Sequence, residues 1–336
     1  MNILVIGAGA IGTYIGGSLL AAGHMVTFQV RPATAEALRA NGIRIGPRAL
    51  RPRIAASPAE ALAHSPEVIV FALKSYDTAA ALAELRGVTA APPPLLCLQN
   101  GVDNESEMAH LFGGECVMAG TVTTAVSKTG LGQVRVERER GVGLALGHSL
   151  STPLVETLRG AGLRVRGYHN AGPMKWSKLL TNLIGNATSA ILDMSVAELF
   201  ANPQTFKIEI AMLRECLAVM RALQYEVVDL PKTPVRALAF AAERLPLPAA
   251  QLVLKRAVAS GRGGKRPSFH IDLHGGRGQT EVRWLNGAVA RYGEIQGVPT
   301  PVNRALTEIL EGLSAGRLNP EDFRRKPAAI LQLINA

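Results

Sequence analysis

The chain has 336 residues, of which 48% are hydrophobic and 4% aromatic, and its formal net charge is +10. This length exceeds that of one typical domain, and the apolar content suffices for two cores. The arginines are scattered without interleaved aromatics, so we expect an anionic small molecule, and no nucleic acid, to match the charge. Three isolated cysteines disfavour a disulfide framework or a metal site and favour a reducing, cytoplasmic compartment. Because glycines interrupt the N-terminal apolar run, we expect neither a signal peptide nor a membrane span.

The first predicted strand, at residues 2–6, runs into the glycine-rich sequence GAGAIG and then into an apolar helix. A G-x-G-x-x-G sequence in this context is typical of a dinucleotide-binding turn. Gly7 permits the tight turn, Gly9 lets a pyrophosphate approach the backbone, and Gly12 lets the helix pack on the strand. The helix N-terminus offers N–H groups to the phosphates. The alternative is a βα turn that binds nothing. The predicted cofactor-binding residues are Gly7, Gly9, Ala10, Ile11 and Gly12.

The second strand ends at Arg31, and the next acidic residue is Glu36. NAD-binding sheets usually place an acid at this point, where it accepts a hydrogen bond from the ribose 2′-hydroxyl. A carboxylate would repel a 2′-phosphate, whereas a guanidinium can bind it with two hydrogen bonds. The sequence therefore predicts NADP(H) as the cofactor, with Arg31 on the 2′-phosphate. The alternative is a solvent-exposed arginine at a strand end.

Buried strands are predicted at residues 68–73 and 95–98, which Lys74 and Asn100 follow closely. Because strands alternate with helices, the fold class is α/β, with a doubly wound parallel sheet of Rossmann type in the N-terminal half. Ligands of such sheets bind at the carboxyl ends of the strands. We therefore expect Gly7, Arg31, Lys74 and Asn100 at one edge. Further strands are predicted at residues 117–126, 132–137 and 142–146.

Helical patterns dominate after about residue 172, which predicts an all-α C-terminal domain. We place a dinucleotide-binding domain at 1–170 and a helical substrate and catalytic domain at 171–336. The apolar content of the helical domain is sufficient for a dimer surface, so a homodimer is one oligomeric state that the sequence allows. The predicted helices cover residues 173–192, 196–200, 203–223, 233–242, 248–260, 280–292 and 302–313.

The helix predicted at 173–192 carries Lys178, Asn182 and Asn186 at spacings of four residues. This spacing places the three side chains on one helix face. Apolar residues cover the other faces, and asparagine is a poor residue for a helix interior. We therefore expect the polar row to face a cavity. The alternative is a solvated face with a surface lysine.

Several sequences along the chain resemble one enzyme family in the same order. They are GAGAIG at 7–12, the strand end at Arg31, ALKSYD with Lys74, QNG with Asn100, GTVTTA at 120–125, KLLTNLIGNATSAI at 178–191, Ser268, TEVRWLNG at 280–287 and GVPTPVN at 297–303. This set resembles the ketopantoate reductases (2-dehydropantoate 2-reductases) over nearly the whole chain.

The resemblance implies NADPH-dependent reduction of a 2-keto acid, which gives pantoate for pantothenate biosynthesis. Lys178 matches the general acid of the family. Glu281 matches the carboxylate that holds the hydroxyl side of the substrate. A cation beside the keto oxygen would stabilise the charge that develops there and supply the proton of the alcohol.

The resemblance also implies binding roles. Asn182 and Asn186 match amides that orient the substrate, and Ser268 matches the hydroxyl that meets its carboxylate. Asn100 matches a residue at the nicotinamide ribose and the mouth of the active site, and Lys74 matches a cofactor-binding lysine. Taken singly, Glu281 could favour a helix dipole, Ser268 could cap a helix, and Asn100 could belong to a turn.

The chain departs from the family in two places. Asp77 stands where some members carry a glutamine near the cofactor, and a carboxylate there would weaken NADPH binding unless it points away. The segments 260–266 and 275–278 are unusually rich in glycine and flank Ser268 and Glu281, where we expect them to shape the substrate pocket or cover it. A related reductase of another 2-keto acid and a non-catalytic NADP(H)-binding regulatory protein stay open as alternatives.

Overall fold

A computed structural model describes residues 1–262, 266–276 and 278–335. The chain forms two compact units. The first comprises Met1–Lys175 and Leu230–Thr233, and the second comprises Trp176–Asp229 and Pro234–Ala336. The sequence places the division near residue 170, whereas in the structure it falls inside a helix, after Lys175.

The first unit consists of strands with connecting helices. In chain order they are β1 (Asn2–Ile6), α1 (Ala10–Ala21), β2 (Met25–Gln29), α2 (Pro32–Asn41), β3 (Ile43–Ile45), β4 (Arg48–Leu50), β5 (Arg53–Ala55), α3 (Pro58–Leu62), β6 (Val68–Phe71), α4 (Thr78–Arg86), β7 (Leu95–Cys97), α5 (Asn104–Phe112), β8 (Val117–Val122), β9 (Ala125–Gly130), β10 (Gln133–Arg138), β11 (Val142–Ala145), α6 (Ser151–Gly160), β12 (Val165–Tyr168) and α7 (Ala171–Leu183), which continues into the second unit.

The main sheet has the strand order β12-β11-β8-β7-β6-β1-β2-β5. Neighbouring strands are parallel except for β11 and β8, which pair antiparallel. The predicted α/β fold with a Rossmann-type sheet is confirmed, and the antiparallel pair makes this sheet mixed. A second sheet has the order β4-β3-β10-β9.

The prediction of one strand at 117–126 is wrong, because the chain leaves β8 at Thr123 and enters β9, in the second sheet. Side-chain hydroxyls explain the change. Thr123 Oγ1 donates to the carbonyls of Gly141 and Pro231, both at 3.0 Å. Thr124 Oγ1 accepts from Gly141 N at 2.9 Å. The hydroxyls thus bind backbone groups that a longer ladder would otherwise have to pair.

Both faces of the main sheet are covered by hydrophobic cores. Alternate residues of β1 point to opposite faces: Ile3 and Val5 belong to one cluster, and Leu4 and Ile6 belong to the other. A strand buried on both faces needs apolar residues at every position, which accounts for its continuous apolar sequence. The polar residues that follow the strands are therefore left at the edge of the sheet.

Within the described residues, the regular elements of the second unit are helices, which confirms the predicted helical half. After α7 they are α8 (Ala187–Leu192), α9 (Val196–Ala201), α10 (Pro203–Ala222), α11 (Val235–Arg244), α12 (Leu247–Arg262), α13 (Ser268–His274), α14 (Asn286–Ile295), α15 (Pro301–Ser314) and α16 (Pro327–Asn335). None of the helices in the described ranges combines the length and apolar character that a membrane span requires.

The prediction of one helix at 173–192 is wrong, because the chain breaks between α7 and α8. Gly185 has a φ of +56°, which L side chains rarely adopt, and a Cβ there would approach Val196 Cγ1 to 2.7 Å. The helix predicted at 280–292 is instead a 3₁₀ turn at Val282–Trp284 followed by α14. Helices α13 and α16 lie where the sequence pattern predicts none.

Candidate active site

The glycine turn between β1 and α1 is closely packed. Gly7 has a φ of +101°, and a Cβ at Gly12 would lie 1.9 Å from the Gly7 carbonyl oxygen. A Cβ at Gly9 would have the Ala72 carbonyl oxygen as its neighbour at 3.9 Å, so the backbone there is open to a ligand. Gly9 is the N-cap of α1, and the N–H groups of Ala10 and Ile11 begin the first helical turn. The turn therefore has the shape and the donors of a phosphate-binding site.

Four predicted cofactor residues follow adjacent strands of the sheet. Strands β1, β2, β6 and β7 are followed by Gly7, Arg31, Lys74 and Asn100, respectively. The four strands are neighbours in the sheet, in the order β7-β6-β1-β2. All four strands are parallel. The structure thus brings the four residues to one edge, where ligands of such sheets bind.

A buried network of side chains holds the backbone at Asn100. The Asn100 carbonyl accepts hydrogen bonds from Ser75 Oγ at 3.1 Å and from Asn104 Nδ2 at 2.7 Å. Asn104 Oδ1 accepts from Thr78 Oγ1 at 3.1 Å, and Thr78 Oγ1 accepts from Gln99 Nε2 at 2.7 Å. Sequence reasoning missed these supporting residues, because three of the four bonds join residues 21 to 26 positions apart. The network fixes the main chain on which Asn100 sits.

A buried ion pair supports Gln99, the residue before Asn100. Lys175 Nζ lies 2.7 Å from Glu105 Oε1 and donates to the carbonyl of Gln99 at 2.8 Å. Burial is the largest single influence on the pKa of Lys175 and lowers it, but the charge of Glu105, the charge of Cys97 and the hydrogen bond with Glu105 together outweigh burial, and the pKa of Lys175 is raised. Sequence reasoning missed this pair as well. Its signal was a lysine three residues before Lys178 on a helix with apolar neighbours.

Arg31 and Asp77 form an ion pair at the same edge, with 2.8 Å between Nη2 and Oδ1. The Arg31 side chain is 80% exposed and that of Asp77 is 32% exposed. The carboxylate that the sequence places near the cofactor thus points toward the guanidinium that we expect to bind the 2′-phosphate.

The catalytic candidates of the second unit begin on α7. Lys178 and Asn182 are half-buried and one helical turn apart, on the same face. The neighbouring Leu179, Leu180 and Leu183 are buried. The lysine and the amide therefore lie at the border of an apolar helix face, where a small polar ligand could reach them.

Asn186 does not belong to that face, contrary to the prediction, because α7 has ended before it. Instead it is buried, and its Oδ1 accepts from Phe269 N at 3.0 Å and from Ser268 Oγ at 3.3 Å. The structure thus brings Asn186 and Ser268 together at the start of α13. Ser268 is the first residue of that helix, and Pro267 is its N-cap.

Glu209, which sequence reasoning missed, stabilises the break between α7 and α8. Its carboxylate is fully buried and accepts from Gly185 N at 2.7 Å and from the Thr188 hydroxyl. It therefore replaces helical hydrogen bonds that the break removes. The signal in the sequence was a glutamate between two isoleucines of α10.

Glu281 is 2% exposed and stands before the 3₁₀ turn at Val282–Trp284. Its carbonyl accepts from Trp284 N at 3.0 Å and Leu285 N at 3.2 Å. A carboxylate buried to this degree needs polar partners, so a surface role at a helix dipole does not describe it. Residues 263–265 and 277 lie outside the described residues, so the expectation that segments 260–266 and 275–278 shape or cover the pocket stays a prediction.

The sequence GVPTPVN has a structural role. Glu215 accepts from the backbone N–H groups of Val302 and Asn303 at 2.8 and 2.9 Å, at the start of α15. Asn303 Oδ1 accepts from Asn286 Nδ2 at 3.0 Å. This arrangement joins α10, α14 and α15.

Asp193, His270 and His274 have ligand-type atoms within 4.8 Å of one another. Two guanidinium groups already lie on the Asp193 carboxylate, from Arg266 at 3.1 Å and from Arg324 at 3.4 Å. The hydrogen bond with His270 is the main cause that lowers the pKa of Asp193. The arginines neutralise the carboxylate, so charge disfavours a metal cation here.

Two models of one protein family match the chain. Residues 3–147 match the model described as ketopantoate reductase PanE/ApbA, and residues 170–314 match the C-terminal model of the same family. A 2-dehydropantoate 2-reductase of Pyrobaculum aerophilum is 31% identical, over 72% of this chain and 75% of its own length. The enzyme of the same name from Archaeoglobus fulgidus is 28% identical, over 94% and 98%.

Solved structures share the fold. A PanE/ApbA family ketopantoate reductase from Ralstonia eutropha superposes with a TM-score of 0.80 at 27% identity, covering 94% of this chain and 99% of its own. A D-mandelate dehydrogenase in complex with NADH superposes with a TM-score of 0.78 at 22% identity, covering 95% and 100%. At that identity the second likeness concerns the fold alone.

Proposed function

Because this chain belongs to the ketopantoate reductase family, and is therefore an oxidoreductase, we propose that it reduces 2-dehydropantoate to pantoate with NADPH. The observation that carries the proposal is the position of Lys178 and Asn182, half-buried and one turn apart on α7. A cation and an amide in this arrangement suit a keto acid whose oxygen gains negative charge during reduction.

The residues of the first unit fit a nicotinamide dinucleotide. The glycine turn leaves the backbone at Gly9 open, and the first N–H groups of α1 have no partner within their helix. These groups would bind the pyrophosphate. Arg31 would bind the 2′-phosphate, with Lys74 as a second cation, and Asn100 would lie at the nicotinamide ribose. When bound, the cofactor supplies the hydride for the keto carbon.

In the proposed reaction the ammonium group of Lys178 would stabilise the negative charge on the keto oxygen and then transfer a proton to it, which completes the alcohol. Asn182 would donate a hydrogen bond that keeps the keto group oriented. Glu281 would accept a hydrogen bond from the substrate hydroxyl and thereby select 2-keto acids that carry one.

We further propose that Asn186 and Ser268 serve the substrate carboxylate together. The Ser268 hydroxyl donates to Asn186 Oδ1 at 3.3 Å and Phe269 N donates to the same atom at 3.0 Å, so Asn186 sets the position of Ser268. A hydroxyl has one proton, so Ser268 would turn it from Asn186 to the substrate carboxylate, while the bond from Phe269 N keeps Asn186 in place. Asn186 acts in this scheme as a positioning residue, which differs from the substrate contact that the resemblance implies.

A steady-state assay tests the proposal. NADPH oxidation is measured with 2-dehydropantoate and, at matched concentrations, with pyruvate, 2-oxoisovalerate and phenylglyoxylate. We expect kcat/KM to be highest for 2-dehydropantoate, because it alone in this panel has a hydroxyl for Glu281. A higher kcat/KM for another keto acid would assign a different substrate. If none of the four is reduced with NADPH or NADH, the proposed reaction is wrong.

A further inference from the structure

The ion pair between Arg31 and Asp77 connects two strand ends on either side of the glycine turn. Arg31 follows β2 and Asp77 follows β6, and β1 lies between these strands in the sheet. The turn after β1 contacts both neighbours, because Gly7 N donates to Gln29 O at 3.0 Å and a Cβ at Gly7 would approach Leu73 Cδ2 to 2.8 Å. The pair therefore lies at the edge where a dinucleotide bound to this turn would place its adenosine ribose.

Among the described residues, no contact with α4 accounts for the Asp77 carboxylate. It stands at the N-cap of α4, where aspartate usually accepts a helix N–H. The structure describes all residues of α4, and the Asp77 side chain accepts no hydrogen bond from an N–H group of that helix. Within the part of the chain that the structure describes, the Asp77 carboxylate contacts the Arg31 guanidinium at 2.8 Å. An exposed pair of this kind contributes little to folding.

The two charges have opposite effects on the two nicotinamide cofactors. A 2′-phosphate bound to Arg31 would approach Asp77 as well, and the two anions would repel each other. A ribose 2′-hydroxyl could instead donate a hydrogen bond to the carboxylate, as it does to the acid at the end of β2 in NAD-binding sheets. The carboxylate here comes from a different strand, which is why the end of β2 by itself predicts only NADP(H).

We propose that Asp77 determines the choice between NADPH and NADH in this protein. By holding Arg31 and repelling the 2′-phosphate, it weakens NADPH binding. By accepting the 2′-hydroxyl, it supports NADH binding. The site then uses both cofactors, with a preference for NADPH smaller than Arg31 alone would give. This inference rests on the proposed binding of a nicotinamide cofactor at the glycine turn.

Dissociation constants for NADPH and NADH, measured by titration calorimetry without a keto acid, test the inference. We expect Asp77→Asn to shift the ratio of the two constants toward NADPH by about tenfold or more, and the shift to shrink as salt screens the charges. The matched control is Glu36→Gln, since Glu36 is an exposed acid on α2, five residues after Arg31, whereas the ion pair of Arg31 is with Asp77. It should leave the ratio within about twofold.

Two further results separate this inference from the proposed function. Arg31→Ala should weaken NADPH far more than NADH, which locates the 2′-phosphate. Suppose that wild type binds both nucleotides and that Arg31→Ala weakens mainly NADPH. If Asp77→Asn then leaves the ratio of the two dissociation constants unchanged, the inference about Asp77 is overturned while the cofactor site stands. If neither nucleotide binds the wild type, the cofactor site is wrong and the inference falls with it. A thermal melt of Asp77→Asn near that of wild type excludes loss of folding as the cause of a shift.

Discussion

Lys175 and Glu105 form an ion pair inside the first unit, with 2.7 Å between Nζ and Oε1 and side chains that are 5% and 16% exposed. The lysine also donates to the Gln99 carbonyl, which immediately precedes Asn100. Charges removed from water to this extent need each other, together with further hydrogen bonds, to compensate for the lost hydration. Its position ties the backbone at the proposed nicotinamide ribose site to the first part of α7.

Breaking this pair should destabilise the protein strongly. Glu105→Gln and Lys175→Met each leave one buried group without its partner, so we expect the free energy of unfolding to fall by about 3–5 kcal/mol. The double variant should lose less than the sum of the two. Urea unfolding of wild type, the two single variants and the double variant measures this coupling. The control is Glu156→Gln, because Glu156 forms an exposed pair with Arg159, and it should change the free energy of unfolding by less than about 1 kcal/mol. Additive losses would show that the two charges do not interact.

The pH dependence of that pair follows from the raised pKa of Lys175. A lysine whose pKa is higher in the folded state contributes stability that is complete below its ordinary value of about 10.4 and is lost as the pH rises through the folded value. The difference in stability between wild type and the double variant, which carries neither charge, should therefore be constant from pH 6 to 9, two values chosen well below about 10.4, and decrease only in stronger alkali.

Replacing Lys178 by alanine should remove the proposed general acid. We expect kcat to fall by about two orders of magnitude or more, in the range of acid–base effects, while the Kd for NADPH stays the same. Lys207→Ala is the matched control, since Lys207 is an exposed lysine on α10 of the same unit. An unchanged kcat in Lys178→Ala would refute the role.

Glu281→Gln should act on the keto acid and spare the cofactor. The amide keeps the size of the side chain but is a weaker acceptor for the substrate hydroxyl, so we expect KM for 2-dehydropantoate to rise by about tenfold. Pyruvate, which lacks that hydroxyl, serves as the comparison substrate and should be affected less. A change confined to the Kd for NADPH would show that Glu281 does not contact the keto acid.

Asn186→Ala should disturb α13 and, through it, Ser268. Asn186 accepts from Phe269 N in the first turn of α13, as a capping side chain does, so its loss should lower the free energy of unfolding by about 1 kcal/mol. Ser268 also loses its partner, so we expect KM for the keto acid to rise with little change in the Kd for NADPH. Asn186→Asp keeps the acceptor oxygen and should restore most of the stability. Ser268→Ala alone should raise KM without the loss of stability. If Asn186→Ala leaves KM unchanged, Asn186 supports only the fold.

Acid should weaken the contacts of Glu198. Hydrogen bonds from Ser195 and Arg325 lower its pKa to about 2, with the backbone of Ser195 as the main cause. A carboxylate whose pKa is depressed in the folded state contributes stability above its ordinary value of about 4.3 and loses it as the pH falls toward the folded value. Because the side chain is 42% exposed, the effect is small. Urea unfolding of wild type and Glu198→Gln should differ at pH 7 and converge as the pH falls toward about 2. A difference independent of pH would contradict this.

The sequence by itself determined the α/β architecture, the glycine turn and the edge of the sheet where the candidate cofactor residues lie. These features depend on local properties: the apolar runs of buried strands, the backbone freedom of Gly7 and the order of the strands. The tertiary structure decided the rest. The break at Gly185 moves Asn186 from the α7 face to the start of α13, because the buried Glu209 binds the backbone there. Asp77 meets Arg31 across 46 positions, and Lys175 meets Gln99 across 76. Contacts between charges and amides so distant in the sequence leave no periodic pattern in it, so only the fold could bring them together.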